Sequence, residues 1–286
     1  MSRVLSGALA SHLATRRTTL ARCLRLDLTD GTALGFTTLD IDLSVNLGDG
    51  ALSYAAGTGV TPSALALSLG FDADNLEARG PIGSVVTRAA VLGGRYRAAR
   101  ARLFDVNWAD TSQRAPLLAG KLAAARVEGA AFVFEIRSAI AAYNQTIGRV
   151  LSPYCDADFG DARCGAAPLS WAATVASVTD ALTLSLSFSA GTPTAAQALA
   201  GKINFTSGAL VGQPAMEVFG LAGGVTLSLY AALAEAPQVG DALTLTEGCD
   251  KRRATCVAKQ GDATTFRGFP DLVGSDDYLK FPSPGS

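Results

Sequence analysis

The chain of 286 residues has one histidine, two methionines and two tryptophans. It has no apolar run near the roughly 20 residues needed to span a bilayer. With His12 as the sole imidazole, a Cys nucleophile in the second half has no histidine base to pair with. No glycine fingerprint follows a strand, so a flavin or nicotinamide has no obvious cradle. Charge of one sign is also missing. Lys plus Arg number 24 and Asp plus Glu 25, for a formal net charge of −1. Nucleic-acid binders neutralise phosphates with a basic field, so specific nucleic-acid binding is not expected. The first residues do not read as an export signal either. Ser11 and His12 break the apolar stretch, and Arg16 and Arg17 follow it where a signal carries its charges in front. The expectation is a chain made in the cytoplasm.

What is present is apolar and turn-rich. Hydrophobic residues make up 49 %, charged residues 17 %, and glycines number 30. That balance buries a core and suits short strands joined by tight turns. Leu5, Leu9 and Leu13 share one face of a short leading helix within 1–17. The period then becomes two. Leu20, Leu24, Leu26 and Leu28 alternate with Arg25 and Asp27, Asp30-Gly31 makes a hairpin turn, and 33–37 returns. Ile41, Leu43, Val45 and Leu47 precede the Gly48-Asp49-Gly50 turn into Leu52 and Tyr54. The expectation is antiparallel strands with one wet face. A short helix over 85–92 ends at Gly93-Gly94, strands follow over 97–108 and 132–136, and a helix over 139–150 is stopped by Pro153. Alternation resumes at Leu182–Phe188, Val225–Leu229 and Leu243–Leu245. Prolines and glycines in 266–286 exclude a regular element, so that tail is expected to lie over a surface. The pattern predicts a mainly β protein of two barrel- or sandwich-like domains with few short helices. The N-terminal β domain covers 1–138. The C-terminal one, 139–286, carries the cysteine site and the tail.

Four of five cysteines fall into two pairs: Cys155 and Cys164 with eight residues between, Cys249 and Cys256 with six. A disulfide framework conflicts with a reducing cytosol. Structural zinc favours two- to four-residue knuckles, which these gaps exceed. An iron–sulfur cluster held by four thiolates is larger than one ion and takes ligands from longer loops. Lys251, Arg252, Arg253 and Arg163 would offset its negative charge, although clustered bases are more often a solvated face. On spacing alone, cluster and zinc remain near parity. Either would close an 85-residue loop between Cys164 and Cys249, clasping the C-terminal strands and leaving the apo form poorly folded. Cys23 is far from these in sequence and reads as an ordinary thiol.

The segment from Ser152-Pro-Tyr-Cys155 through Gly160-Asp161 to Cys164-Gly165 resembles a signature of siphophage tail-tip, or baseplate, hub proteins. So do Gly248-Cys249-Asp-Lys, Cys256 and Phe266-Arg-Gly-Phe-Pro270. Thr18–Thr37 is similar to the family's opening hairpin. The chain resembles the hub protein of alphaproteobacterial gene transfer agents and, more distantly, the tail-tip protein L of phage lambda. This chain departs from the family pattern at Thr265 and at Val273–Asp276, both outside the cysteines. The resemblance implies a structural virion protein, not an enzyme. It implies a ring, a homotrimer, between the distal tail protein and the central fibre or host-contacting tip protein, around the channel through which DNA leaves. It also implies a [4Fe-4S] cluster on Cys155, Cys164, Cys249 and Cys256, which moves the balance away from zinc.

Two rival functions belong to other classes. A cell-wall hydrolase would need an acid–base pair, and Asp156, Asp158 and Asp161 crowd the first cysteine loop. A Gly/Asp-rich turn explains them better. An iron–sulfur redox protein would need an electron partner, for which no motif is present.

Overall fold

The computed structural model describes residues 5–58, 60–62, 75–143 and 147–271, without the side chains of 61 and 62. The chain divides into two compact units, 1–146 and 147–286.

In the first unit, helix α1 (Gly7–Leu13) is capped by the Ser6 side chain and buries Leu9. Strands β1 (Leu20–Asp27) and β2 (Ala33–Thr37) form the expected hairpin. A separate hairpin follows from β3 (Leu43–Asn46) and β4 (Ala51–Tyr54). Next come β5 (Thr61–Pro62), β6 (Asn75–Pro81), helix α2 (Arg88–Leu92), β7 (Arg100–Asn107), β8 (Arg114–Glu128) and β9 (Ala131–Ser138). The main sheet is open and antiparallel, in the order β2-β1-β7-β8-β9-β6-β5.

One face of this sheet carries the larger core, where Leu24, Leu26, Leu76, Leu103, Phe132, Phe134 and Ile136 pack with Tyr96 and α2. The other face carries Ala21, Cys23, Phe104 and Val106 against Leu43, Val45 and Tyr54 of the β3–β4 hairpin. The expectation of one wet face therefore fails at β1. Its odd-numbered residues meet the hairpin, and even Arg25 is buried, bonding Asp27 at 2.6 Å.

Of the helix expected over 139–150, the described residues form a single 3-10 turn, Ala139–Ala142, with no side-chain cap, and 144–146 lie outside the described residues. An amphipathic helix is stabilised mostly by what its apolar stripe buries. Tyr143, Ile147 and Val150 have no such surface and are 80 %, 96 % and 85 % exposed.

The second unit is a closed barrel. Its strands are β10 (Ser170–Val178), β11 (Thr183–Phe188), β12 (Lys202–Phe205), β13 (Met216–Ala222), β14 (Thr226–Leu229) and β15 (Ala242–Thr246), with the short helix α3 (Ala195–Ala198) before β12. The order β10-β11-β14-β13-β12-β15 closes when β15 pairs with β10. Leu184, Leu186, Ile203, Phe205, Val218, Leu227, Leu243 and Leu245 fill the interior. Helix α4 (Arg253–Gln260) follows β15 and ends at Gly261, whose φ of +83° suits a residue without Cβ. Residues 266–271 are irregular, as expected of the tail, and 272–286 lie outside the described residues.

Candidate functional site: a four-thiol pocket beside the barrel

Barrel closure brings the cysteine pairs together. Ser170 and Thr246 are paired across β10 and β15, and the Glu247 N–H bonds the Leu169 carbonyl at 2.8 Å. The chain entering β10 and the chain leaving β15 therefore lie side by side at one end of the barrel. The first carries Cys155 and Cys164, and the second carries Cys249 and then Cys256 on α4. Further bonds join the loops. The Cys155 N–H meets the Lys251 carbonyl at 2.8 Å, and Lys251 Nζ meets the Ala157 carbonyl at 2.5 Å. Lys251 has a φ of +64°, a conformation costly for a side-chain-bearing residue, which suits both contacts being held at once.

All four cysteines line one pocket, together with Ala157, Phe159, Lys251, Arg252, Lys259, Gln260 and Thr265. Its water-accessible space is about 10 Å³, room for roughly one water. All are free thiols; Cys164 and Cys256 are buried, and Cys155 and Cys249 are half-buried. Three of the four sulfurs have a polar partner. The Arg267 backbone N–H points at Cys155 Sγ, 3.4 Å away. Gln260 Nε2 lies 3.6 Å from Cys164 Sγ and 3.8 Å from Cys256 Sγ. Thr265 Oγ1 stands 4.0 Å from Cys256 Sγ. Burial pushes the Cys249 thiol up, against the Lys251 backbone N–H and charge that favour its thiolate. Among the described residues, no group of three or more His, Cys, Asp or Glu is disposed to hold a metal ion.

The surrounding charges organise loops. Asp161 accepts bonds from the backbone N–H groups of Cys164, Arg163 and Asp158, at 2.7, 2.9 and 3.2 Å. These hold its carboxyl below the usual range, chiefly through the Cys164 N–H. Asp156 is held low by Arg149, its main partner, with Arg163 beside it. The three carboxylates thus include two that tie down the turn. Of the four bases named from sequence, Lys251 and Arg252 reach the pocket. Arg163 bonds the Asp156 carbonyl at 2.8 Å, and exposed Arg253 begins α4. Lys259, unremarked in the sequence reading, sits over the Phe159 ring at 5.1 Å and pairs with Glu247.

The other singled-out groups lie in the first unit. His12 Nε2 accepts the Thr19 backbone N–H at 3.0 Å. Cys23 is fully buried in β1, and burial pushes its thiol up to about 11. An open groove of about 760 Å³ lies on the same unit and is lined by Arg100, Lys121, Arg137 and Ser138 among small residues. Gln260 and Thr265 were not recognised as site residues from sequence. The available signal was Gln260 standing four positions after Cys256, on the same helical face.

A family model described as "baseplate hub protein, N-terminal attachment domain" matches residues 6–167, and one described as "phage conserved hypothetical protein BR0599" matches residues 199–276. The comparison with curated proteins gives no match. Among solved structures, a chain from the virion of a native gene transfer agent particle is 33 % identical, with a TM-score of 0.82, over 98 % of this chain and 97 % of that one. No helix among the described residues is long and apolar enough to cross a membrane. By a match spanning more than half its length, the chain belongs to the baseplate hub proteins of phages and gene transfer agents.

Proposed function

We propose that this baseplate hub protein acts as a non-enzymatic ring subunit, a homotrimer, joining the distal tail protein to the central fibre or host-contacting tip protein around the DNA channel. We further propose that Cys155, Cys164, Cys249 and Cys256 hold a structural [4Fe-4S] cluster. The observation that carries the cluster is the donor set. Four sulfurs line one pocket, and those of Cys155, Cys164 and Cys256 are each met by an N–H or hydroxyl group. Neutral thiols are weak acceptors that do not require such partners, whereas thiolate ligands do.

The ligand spacing, eight and six residues between paired cysteines, is longer than the knuckles zinc favours and supports a cluster over zinc. When bound, the cluster would supply covalent ties between the two loops. Lys251 and Arg252 would balance its charge, and the Asp161 turn would present Cys164.

The test has two arms. Chain purified anaerobically is assayed for iron, acid-labile sulfide and broad visible absorption. About four irons per chain are expected, and colourless protein with one zinc overturns the cluster. Electron microscopy of intact particles is expected to place three copies at the tail tip. Placement elsewhere, or peptidoglycan release by the purified chain, overturns the ring role.

A further inference from the structure

We propose that Gln260 is the positioning residue of the four-thiol pocket, and that its amide sets how readily the group held there accepts an electron. The proposal rests on the cluster reading above and adds a named determinant to it. Gln260 is the last residue of α4, one turn beyond Cys256. Its Nε2 has two N–H groups. They meet sulfurs from different segments, Cys164 at 3.6 Å and Cys256 at 3.8 Å. One amide thus bridges the first cysteine pair to the second.

Its orientation is also fixed. Thr265 Oγ1 donates to Gln260 Oε1 at 3.0 Å. Turned over, the amide would present its oxygen to two sulfurs, which repels once these are thiolates. The backbone is anchored by the Gly261 N–H bond to the Val257 carbonyl at 2.8 Å.

A donor to a ligand sulfur favours the more negative state of the group that the sulfur binds. Hydrogen bonds to the sulfurs are among the recognised controls on cluster potential. Gln260 should therefore raise the reduction potential, and its loss should lower it. Adding electron density at two sulfurs without a donor should also speed the loss of iron.

The experiment uses the full chain, purified anaerobically, as wild type, Gln260→Leu, Gln260→Glu and Thr265→Val. Potential is read by spectroelectrochemical titration, and iron release by the rate of transfer to a ferrous chelator. Gln260→Leu is expected to shift the potential downward and to speed release about tenfold, the scale of one hydrogen bond to a charged group. Gln260→Glu should move both further. Thr265→Val, which frees the amide to turn, should give a smaller shift of the same sign. Iron-loaded Gln260→Leu and Gln260→Glu with wild-type potential and release would overturn the positioning role alone. Wild-type chain that binds no iron would overturn the cluster reading and this role together.

Discussion

Arg267 and Cys155, 112 positions apart, meet through the Arg267 backbone N–H and the cysteine sulfur at 3.4 Å. Around that contact, Arg149 bonds the Arg267 carbonyl at 2.7 Å and lies over the Phe269 ring at 5.4 Å. The Phe269 N–H returns to the Ser152 carbonyl at 2.8 Å. The start of the tail is thereby fastened to the first cysteine loop rather than to the barrel wall.

On the proposed cluster reading, removal of iron should loosen this fastening first. The barrel keeps its own core and its β10–β15 closure, so its strands do not depend on the sulfurs for contact. A tie across the 85 residues between Cys164 and Cys249 is worth on the order of 4 kcal/mol in loop-closure entropy. Chelated protein is expected to lose that much from the barrel transition and to be cut by protease within 150–165 and 249–271. The transition of the first unit should stay where it was. Calorimetry and mass mapping of the fragments check both; an unmoved barrel transition with uncut loops would count against the tie.

Gly248→Ala should be severe. The new Cβ would stand 2.1 Å from both Gly201 N and the Leu199 carbonyl oxygen, and both atoms belong to the backbone. A loss of about 3 kcal/mol or more is expected, with lowered occupancy of the proposed cluster, because Cys249 is the next residue. Gly7→Ala in α1 meets nothing within 4 Å and should be neutral or slightly stabilising. Urea denaturation of the two variants gives the contrast.

Cys23 should stay unmodified while native. Burial, the dominant cause, raises its thiol to about 11, so near pH 8 scarcely any thiolate is present to react. Thr37 Oγ1 is 3.6 Å away and only partly offsets this. Iodoacetamide followed by mass mapping is expected to label Cys23 only after unfolding.

Acid should weaken the first hairpin through Asp30. Burial alone would raise its carboxyl, but bonds from Thr32 and the Arg95 guanidinium outweigh that and hold it below the usual value. A depressed folded pKa means the stabilisation is present above the unfolded value and is lost as pH falls through the folded one. Asp30→Asn should cost under about 1 kcal/mol at pH 7. It should also flatten the fall in stability of the first unit below about pH 4. Denaturant midpoints at pH 7 and pH 3 measure the difference.

Sequence revealed the elements whose side chains alternate sharply. Leu24 and Leu26, Leu43 and Val45, and Leu184 and Leu186 mark strands because large apolar groups alternate with polar ones. The 15-residue β8 escaped notice because Ala119, Ala123, Ala124 and Ala125 give little contrast between faces and Gly120 breaks the run. That glycine is required, since a Cβ there would lie 2.0 Å from the Arg137 carbonyl oxygen. The helix expected over 139–150 shows the converse. Alanine favours helix locally, but nothing covers Ile147. For the site, the residue types and their pairing named all four thiols. Their meeting at one end of the barrel depends on β10 lying beside β15, a long-range pairing that no local pattern encodes. Gln260 was hidden for the same reason, since its partner Cys164 is 96 positions away.

The barrel has a consequence for life inside a particle. Every one of its six strands already has two neighbours, so no row of backbone amides is left for a stranger to zip onto. Whatever docks against this unit must do so through side chains and connecting loops. Such a joint can be made and parted without unravelling the piece that bears it.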